Sequence, residues 1–396
     1  MENSSAMPLK GLRVIDLTRL LPGPLCTMLM GDYGAEVIKI EDTDAGDPTR
    51  FVGTAVNGCG SFFRQLNRNK RSLALNLKTE EGREIVKKLV VGADVLIEGF
   101  RPGVMAKLGL DYEALKKVNP ALIYASLSGY GQHGSYASRA GHDLNYTALT
   151  GLLDLSAAEG RAPAMPAIQV ADIAAGSLMA VNGIMFALYQ KEKSGEGAYV
   201  DIAMTRGQLP LLAFAASAPA VGSTLPRSGS GHITGAFACY NIYRTVDNRF
   251  MSLGALEPVF WKNFCDTVGR PQWVDRQFDM DSRLELIEQV GELFSSKTRE
   301  EWCSLFAAAD ACCEPVLNLE EAASHPLNKE NSYWLENRVD DNSVEKLIGF
   351  PLLFSDRPGS LRQQAPQHGE HNRIILKEIG YSDDQIDQLR QLGVIN

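Results

Sequence analysis

Short apolar runs alternate with segments of helical period along the first half of the chain. Leu12-Arg13-Val14-Ile15-Asp16-Leu17 reads as a strand, followed by a turn holding Pro22, Gly23 and Pro24. Leu25 to Tyr33 then has helical spacing with Gly34 as its stop, and Glu36 to Glu41 reads as a second strand. A strand, a helix of roughly ten residues and a strand make a parallel βαβ unit. The pattern repeats with Ser72–Leu77 as strand, Glu80–Val91 as helix, and Asp94–Glu98 and Leu122–Leu127 as strands. An apolar, small-residue helix over Ala174–Tyr189 and a strand over Tyr199–Met204 complete this part. The expected fold is therefore α/β: a Rossmann-like, doubly wound large domain over residues 1–200. The first turn lacks the G-x-G-x-x-G fingerprint, and its prolines remove backbone donors that a pyrophosphate needs, so NAD is not expected.

Beyond residue 200 the periodicity changes. Pro219 to Thr234 is rich in Gly, Ser and Pro, so 201–230 is expected to be a linker or loop. Tyr240–Arg244 and Phe250–Leu253 read as strands, and Trp261–Val268 and Glu285–Phe294 as helices. These predict a smaller α+β domain over 231–335. Residues 336–396, with a helix after Tyr381, are expected to return to the large domain.

The 396 residues are long enough for two domains, or for one large domain with an insertion, and 45% hydrophobic with 22% charged is an average globular composition. No apolar run of the roughly 20 residues that span a bilayer stands out, so no membrane partner is expected. Neither a secretory pattern over Met1–Ala6 nor a peroxisomal tripeptide at Gly393-Val394-Ile395-Asn396 is present, so the expected compartment is the cytoplasm. The formal charge of −9 argues against nucleic acid. An anionic ligand would need a local basic patch. Seven cysteines in no CxxC spacing read as buried thiols in a reducing cell, with no metal site.

Three stretches concentrate candidate acids and bases. In Gly141-His142-Asp143-Leu144-Asn145-Tyr146, a histidine stands where a helix begins, and free N–H groups there favour a developing oxyanion. In Gln169-Val170-Ala171-Asp172-Ile173-Ala174, an acid precedes small residues that let a bulky ligand approach. In Gly254-Ala255-Leu256-Glu257-Pro258, a carboxylate ends an apolar strand. Each has an ordinary structural reading: a helix-start histidine, an N-cap and a loop carboxylate. Spacing alone does not bring them together.

The whole chain resembles the class III CoA-transferase superfamily of carnitine and bile-acid type. The resemblance runs through Gly11–Thr18, Pro22-Gly23-Pro24, Gly31–Glu41, Asn69–Lys78 and Asp94–Gly103. Within it, the Gly141–Tyr146 motif, the 30-residue interval from His142 to Asp172 and the Gly254–Pro258 segment are similar to α-methylacyl-CoA racemases. The segment Ile233–Tyr240 departs from their Gly-Gly-Ala-Pro-like run, which leaves the acyl group open.

The resemblance implies a homodimer of interlocked chains acting on an acyl-CoA thioester. Coenzyme A would enter as part of the substrate, with no separate cofactor or metal. It further implies 1,1-proton transfer by His142 and Asp172, Glu257 orienting the imidazole, and a backbone N–H near Asp143 holding the thioester oxygen. Lys39, Lys70, Arg71 and Arg101 are the expected phosphate contacts. Two other readings stay open: a CoA-transferase with Asp172 as nucleophile, and a non-catalytic acyl-CoA-binding protein.

Overall fold

A computed structural model describes residues 7–157, 161–220, 231–340, 343–356 and 358–396. The chain divides into two compact units. Met1–Thr150, Ile168–Pro210 and Leu327–Asn396 form the first, and Gly151–Ala167 with Leu211–Pro326 form the second.

The first unit is built on six parallel strands: β1 (Arg13–Leu17), β2 (Glu36–Glu41), β3 (Lys70–Ala74), β4 (Val95–Glu98), β5 (Ile123–Ser128) and β6 (Ala198–Ala203). Their spatial order is β3-β2-β1-β4-β5-β6, the doubly wound order. Alternate residues serve opposite faces. Val14, Val37, Val95 and Ile123 pack with Cys26 and Met30 of helix α1 (Pro22–Asp32), while Ile15, Ile38, Leu73 and Leu96 pack with Ile85, Val86 and Leu89 of helix α2 (Glu80–Val91). Both faces are covered, which is why the strands read as continuous apolar runs. Each fully buried aliphatic side chain contributes about 1.5–3 kcal/mol.

Local chemistry sets the helix ends. The Thr79 hydroxyl accepts the Gly82 N–H at 3.1 Å, and Glu80 and Glu81 occupy the positive first turn of α2. Helix α1 begins at Pro22 rather than Leu25, because a first-turn proline lacks a donor only where none is needed. After helix α3 (Asp143–Leu149) comes α4 (Ala171–Ser194), whose opening Ala171–Leu178 is wound wide as a π-helix. By length and composition α4 is apolar enough to cross a bilayer, with mean hydropathy 1.5. This corrects the expectation that the chain holds no bilayer-length apolar run. Ala180, Ile184 and Ala187 of α4 nevertheless pack into the sheet core.

Several boundaries differ from expectation. Strand β3 starts at Lys70 rather than Ser72, because Lys70 and Arg71 continue the ladder beside Val37 and Ile38. Of the expected 201–230 linker, residues to 203 are strand, and Arg206–Leu212 and Ala213–Ala220 are helical; residues 221–230 lie outside the described set. Gly151–Ala167 belongs to the second unit. That unit ends at Pro326, so the hairpin of Trp334–Asp340 with Ser343–Ile348 is part of the first.

The second unit is α+β. An antiparallel sheet of β7 (Tyr240–Arg244), β8 (Phe250–Gly254) and β9 (Cys313–Pro315), with β8 central, is joined by helices α5 (Pro258–Thr267), α6 (Arg283–Phe294) and α7 (Arg299–Phe306). Its core holds Trp261 and Trp302, whose indole N–H groups donate to the Trp273 and Phe294 carbonyls at 3.0 and 2.9 Å.

In the first unit, Arg68 ties the C-terminal segment to α1. Its guanidinium grips both Asp32 oxygens at 2.9 and 2.7 Å and donates to the Ile348 carbonyl at 2.8 Å, with neither charged side chain exposed. Burial pushes the Asp32 carboxyl above its ordinary range, and Arg68 opposes that. Arg68→Met strands the carboxylate and is expected to lower stability by about 3–5 kcal/mol in urea denaturation.

Candidate active site

At the carboxyl ends of β1 and β4 the following loops turn to opposite sides of the sheet, which opens a cleft between them. A cavity of 420 Å³ lies there, within the first unit. Thr18–Leu20 after β1, Gly99–Pro102 after β4 and Ser128–Tyr130 after β5 form its walls, and His142, Tyr146 and Asp172 reach it from α3 and α4. Buried strand-end acids shape two of these loops. Asp16 accepts the Thr18 N–H at 2.9 Å, and Glu98 accepts the Phe100 N–H at 2.8 Å. Gly23 and Gly129 are required for space: a Cβ would stand 2.2 Å from Thr18 and 2.3 Å from Tyr146.

His142 is the N-cap of α3. Its N–H donates to Asn145 Oδ1 at 3.0 Å, and its carbonyl accepts the Asn145 and Tyr146 N–H groups at 2.9 and 3.2 Å. The motif Gly141–Tyr146 thus binds its own backbone and leaves the imidazole exposed at the cavity. Tyr146 donates its hydroxyl to the Gly141 carbonyl and packs edge-on against Tyr130 at 5.0 Å. Burial, foremost, pushes its phenol up to about 12, so it stays protonated.

Asp143 joins the two helices: its Oδ1 accepts the Asp172 N–H at 3.0 Å. Burial first, then the Asp143 carboxylate, push the Asp172 carboxyl up to about 6, and His142 opposes them. Asp172 lies inside the π-helical turns rather than ahead of the helix, and such turns occur often at functional sites. An acid near neutrality beside an imidazole can exchange protons with a weak carbon acid or attack a thioester carbonyl.

The structure separates the expected cations. Arg101 lines the cavity and forms no ion pair among the described residues. Lys39 and Lys70 have no exposed surface: Lys39 pairs with Asp47 at 3.0 Å and Lys70 with Asp16 at 3.2 Å. Neither lines the cavity, because both side chains turn to buried carboxylates. Arg71 is also removed from the cavity, held between Glu36 and Glu378. Arg19 and Arg139 also line the cavity, and both are exposed there. These two were legible only as neighbours of motifs, directly after Thr18 and three residues before His142. Glu257 belongs to the second unit, exposed and immediately before α5, outside the cluster built by the first. No cluster able to hold a metal is found among the described residues.

The chain matches the pattern of "CoA-transferase family III" over residues 9–372. It is 36% identical over 390 residues to the alpha-methylacyl-CoA racemase of Homo sapiens, covering 98% of each chain. It is 32% identical over 398 residues to the succinyl-CoA:glutarate CoA-transferase of Homo sapiens, covering 98% of this chain and 90% of that one. Among solved structures, a CAIB/BAIF family protein from Brucella suis superposes with a TM-score of 0.83 at 29% identity, covering 95% of this chain and 100% of that one.

The raised Asp172 carboxyl has a signed consequence. As pH rises, the folded protein keeps on Asp172 up to about pH 6 a proton that the unfolded chain loses near pH 4, so this group lowers stability as pH rises through that window. Asp172→Asn is therefore expected to gain stability relative to the parent at pH 7 and to lose that advantage at pH 4. Carbon-13 titration of the aspartate carboxyls checks the cause: Asp143→Asn should move the Asp172 midpoint downward.

Proposed function

The chain belongs to CoA-transferase family III, whose members are enzymes. From that premise we propose that it is an α-methylacyl-CoA racemase-like enzyme, epimerising the α-carbon of 2-methylacyl-CoA thioesters. The observation that carries this reading is the meeting of His142 and Asp172 at one cavity, with the Asp172 carboxyl raised to about 6. A two-base exchange needs each group to be acid in one direction and base in the other, and a carboxyl raised toward neutrality paired with an imidazole serves that need.

In this reading one of the pair removes the α-proton and the other returns a proton to the opposite face of the planar enolate. The Asp143 N–H opens α3 and has no partner among the described residues, which makes it the donor proposed for the enolate oxygen. Arg19, Arg101 and Arg139 supply cations for the coenzyme's phosphates. On the resemblance, Glu257 is kept as the carboxylate that orients the imidazole, contributed by a second copy of the chain. A homodimer accords with the apolar side of α4, where Phe186 is 73% and Tyr189 66% exposed. Seven free cysteines accord with a reducing, cytoplasmic setting.

A second reading has one observation in its favour. Asp172 stands at the cavity among small residues, and relatives such as the succinyl-CoA:glutarate enzyme are CoA-transferases. There Asp172 would be the nucleophile and a free carboxylic acid would be required.

Proton NMR of a 2-methylacyl-CoA in deuterated buffer, with no acceptor acid, decides between them. His142→Ala and Asp172→Ala are each expected to slow α-proton exchange by about 100- to 10,000-fold. The direction in which Asp172 is the base should lose rate as pH falls through about 6. Exchange that survives in His142→Ala would overturn the two-base reading. CoA transfer that appears only with added carboxylic acids, and survives in His142→Ala, would establish the transferase.

A further inference from the structure

Lys39 and Lys70 do not touch the cavity, yet the buried cluster they belong to ends on its wall. Asp16 Oδ1 accepts the N–H of Thr18 at 2.9 Å and also its hydroxyl. Asp16 Oδ2 accepts the Thr27 hydroxyl at 2.6 Å and the Lys70 ammonium at 3.2 Å. Lys39 Nζ donates to the Thr18 carbonyl at 2.8 Å and lies 3.0 Å from Asp47 Oδ2. Asp47 Oδ1 accepts the Leu20 N–H at 3.2 Å and is itself fixed by the Thr49 N–H and hydroxyl at 3.0 and 2.7 Å.

The backbone groups of Thr18 and Leu20 are thus held by buried charges. Leu20 has φ of 67°, a left-handed conformation that leucine adopts only where its surroundings dictate it. The same loop is gripped from its other end. The fully buried Ser177 hydroxyl lies 2.7 Å from the Pro22 carbonyl and 3.1 Å from the Asp172 carbonyl, and its one proton is shared between them with the shorter bond to Pro22. Gly176 lets Pro22 approach, since a Cβ there would stand 3.1 Å from the proline ring.

We propose that the Lys39–Asp47–Asp16–Lys70 cluster is a positioning device for the active site. It holds Thr18–Leu20 in its strained shape and, through Pro22 and Ser177, steadies the turn that carries Asp172. Apolar replacements would stabilise a core as well as a buried ionic cluster does, but they would leave the loop's N–H and carbonyl groups without partners. The inference rests on the reading of Asp172 as a reacting group, by either chemistry.

The test uses Asp47→Ala and Asp47→Asn in the full-length enzyme, with Lys39→Met as an independent second site. In Asp47→Ala, kcat is expected to fall about 10- to 100-fold with KM changed less than about threefold, because the reacting geometry is lost rather than the binding. Asp47→Asn keeps an oxygen for the Leu20 N–H and should recover most of that loss. Hydrogen–deuterium exchange should quicken in peptides covering Thr18–Gly23 of Asp47→Ala. Folded variants with unchanged kcat, a rise in KM alone, or equal losses in the Ala and Asn variants without faster exchange would each overturn the proposal. If Asp47→Ala does not fold, Lys39→Met is scored on the same readouts. Turnover is first assigned in the parent enzyme. If the parent moves CoA and does not exchange α-protons, the racemase reading fails, and the variants are scored on CoA transfer.

Discussion

Crossover connections between parallel strands are right-handed, so a chain that starts in the middle of a sheet must wind outward in two directions. Here β2 and β3 lie on one side of β1, while β4, β5 and β6 lie on the other. The loops after β1 and β4 therefore part company, and the gap between them cannot be closed by the strands themselves. Thr18–Leu20 and Gly99–Pro102 are its two lips. Everything that reaches the cavity, from His142 on α3 to Asp172 on α4, does so because later segments pack against a sheet already split in this way.

Placing polar chemistry at such a gap requires the backbone beside it to be satisfied from below. Strand-end acids do this: Asp16 takes the Thr18 N–H, and Glu98 takes the Phe100 N–H. Their environments differ. At Asp16 burial acts upward, but Lys70, Lys39 and the Thr18 and Thr27 hydrogen bonds together hold the carboxyl down to about 2, while burial dominates at Glu98, whose carboxyl is pushed up to about 7. Asp172 follows the second pattern, since burial and the Asp143 carboxylate act together against a single opposing imidazole. The same residue type is thus held ionised in one wall and raised toward neutrality in another.

The electrostatics of ligand capture are local. A chain of net charge −9 repels anions at a distance, yet Arg19, Arg101 and Arg139 converge on one cavity. Screening over about 8–10 Å at physiological salt weakens the distant acidic surface more than it weakens charges lining the cavity. That accords with a substrate whose anionic part is held close to the protein.

The pattern of apolar runs by itself determined the parallel sheet, because strands buried on both faces must be continuous in sequence and helices covering them must be periodic. Glu36–Glu41, Glu80–Val91 and Tyr240–Arg244 were legible to the residue. The motif around His142 and the position of Asp172 were legible too, since helix starts and small-residue turns are written locally. Tertiary structure alone decided what those residues meet. Lys39 and Lys70 look like ligand contacts at strand positions, but parallel pairing turns them inward onto Asp47 and Asp16. Arg19 and Arg139 look like ordinary surface charge until the split sheet brings their loops together. The physical reason is one of range: periodicity and capping act over a few residues, whereas a cavity is made where segments more than a hundred residues apart approach, and no local pattern records which side of a strand will face it.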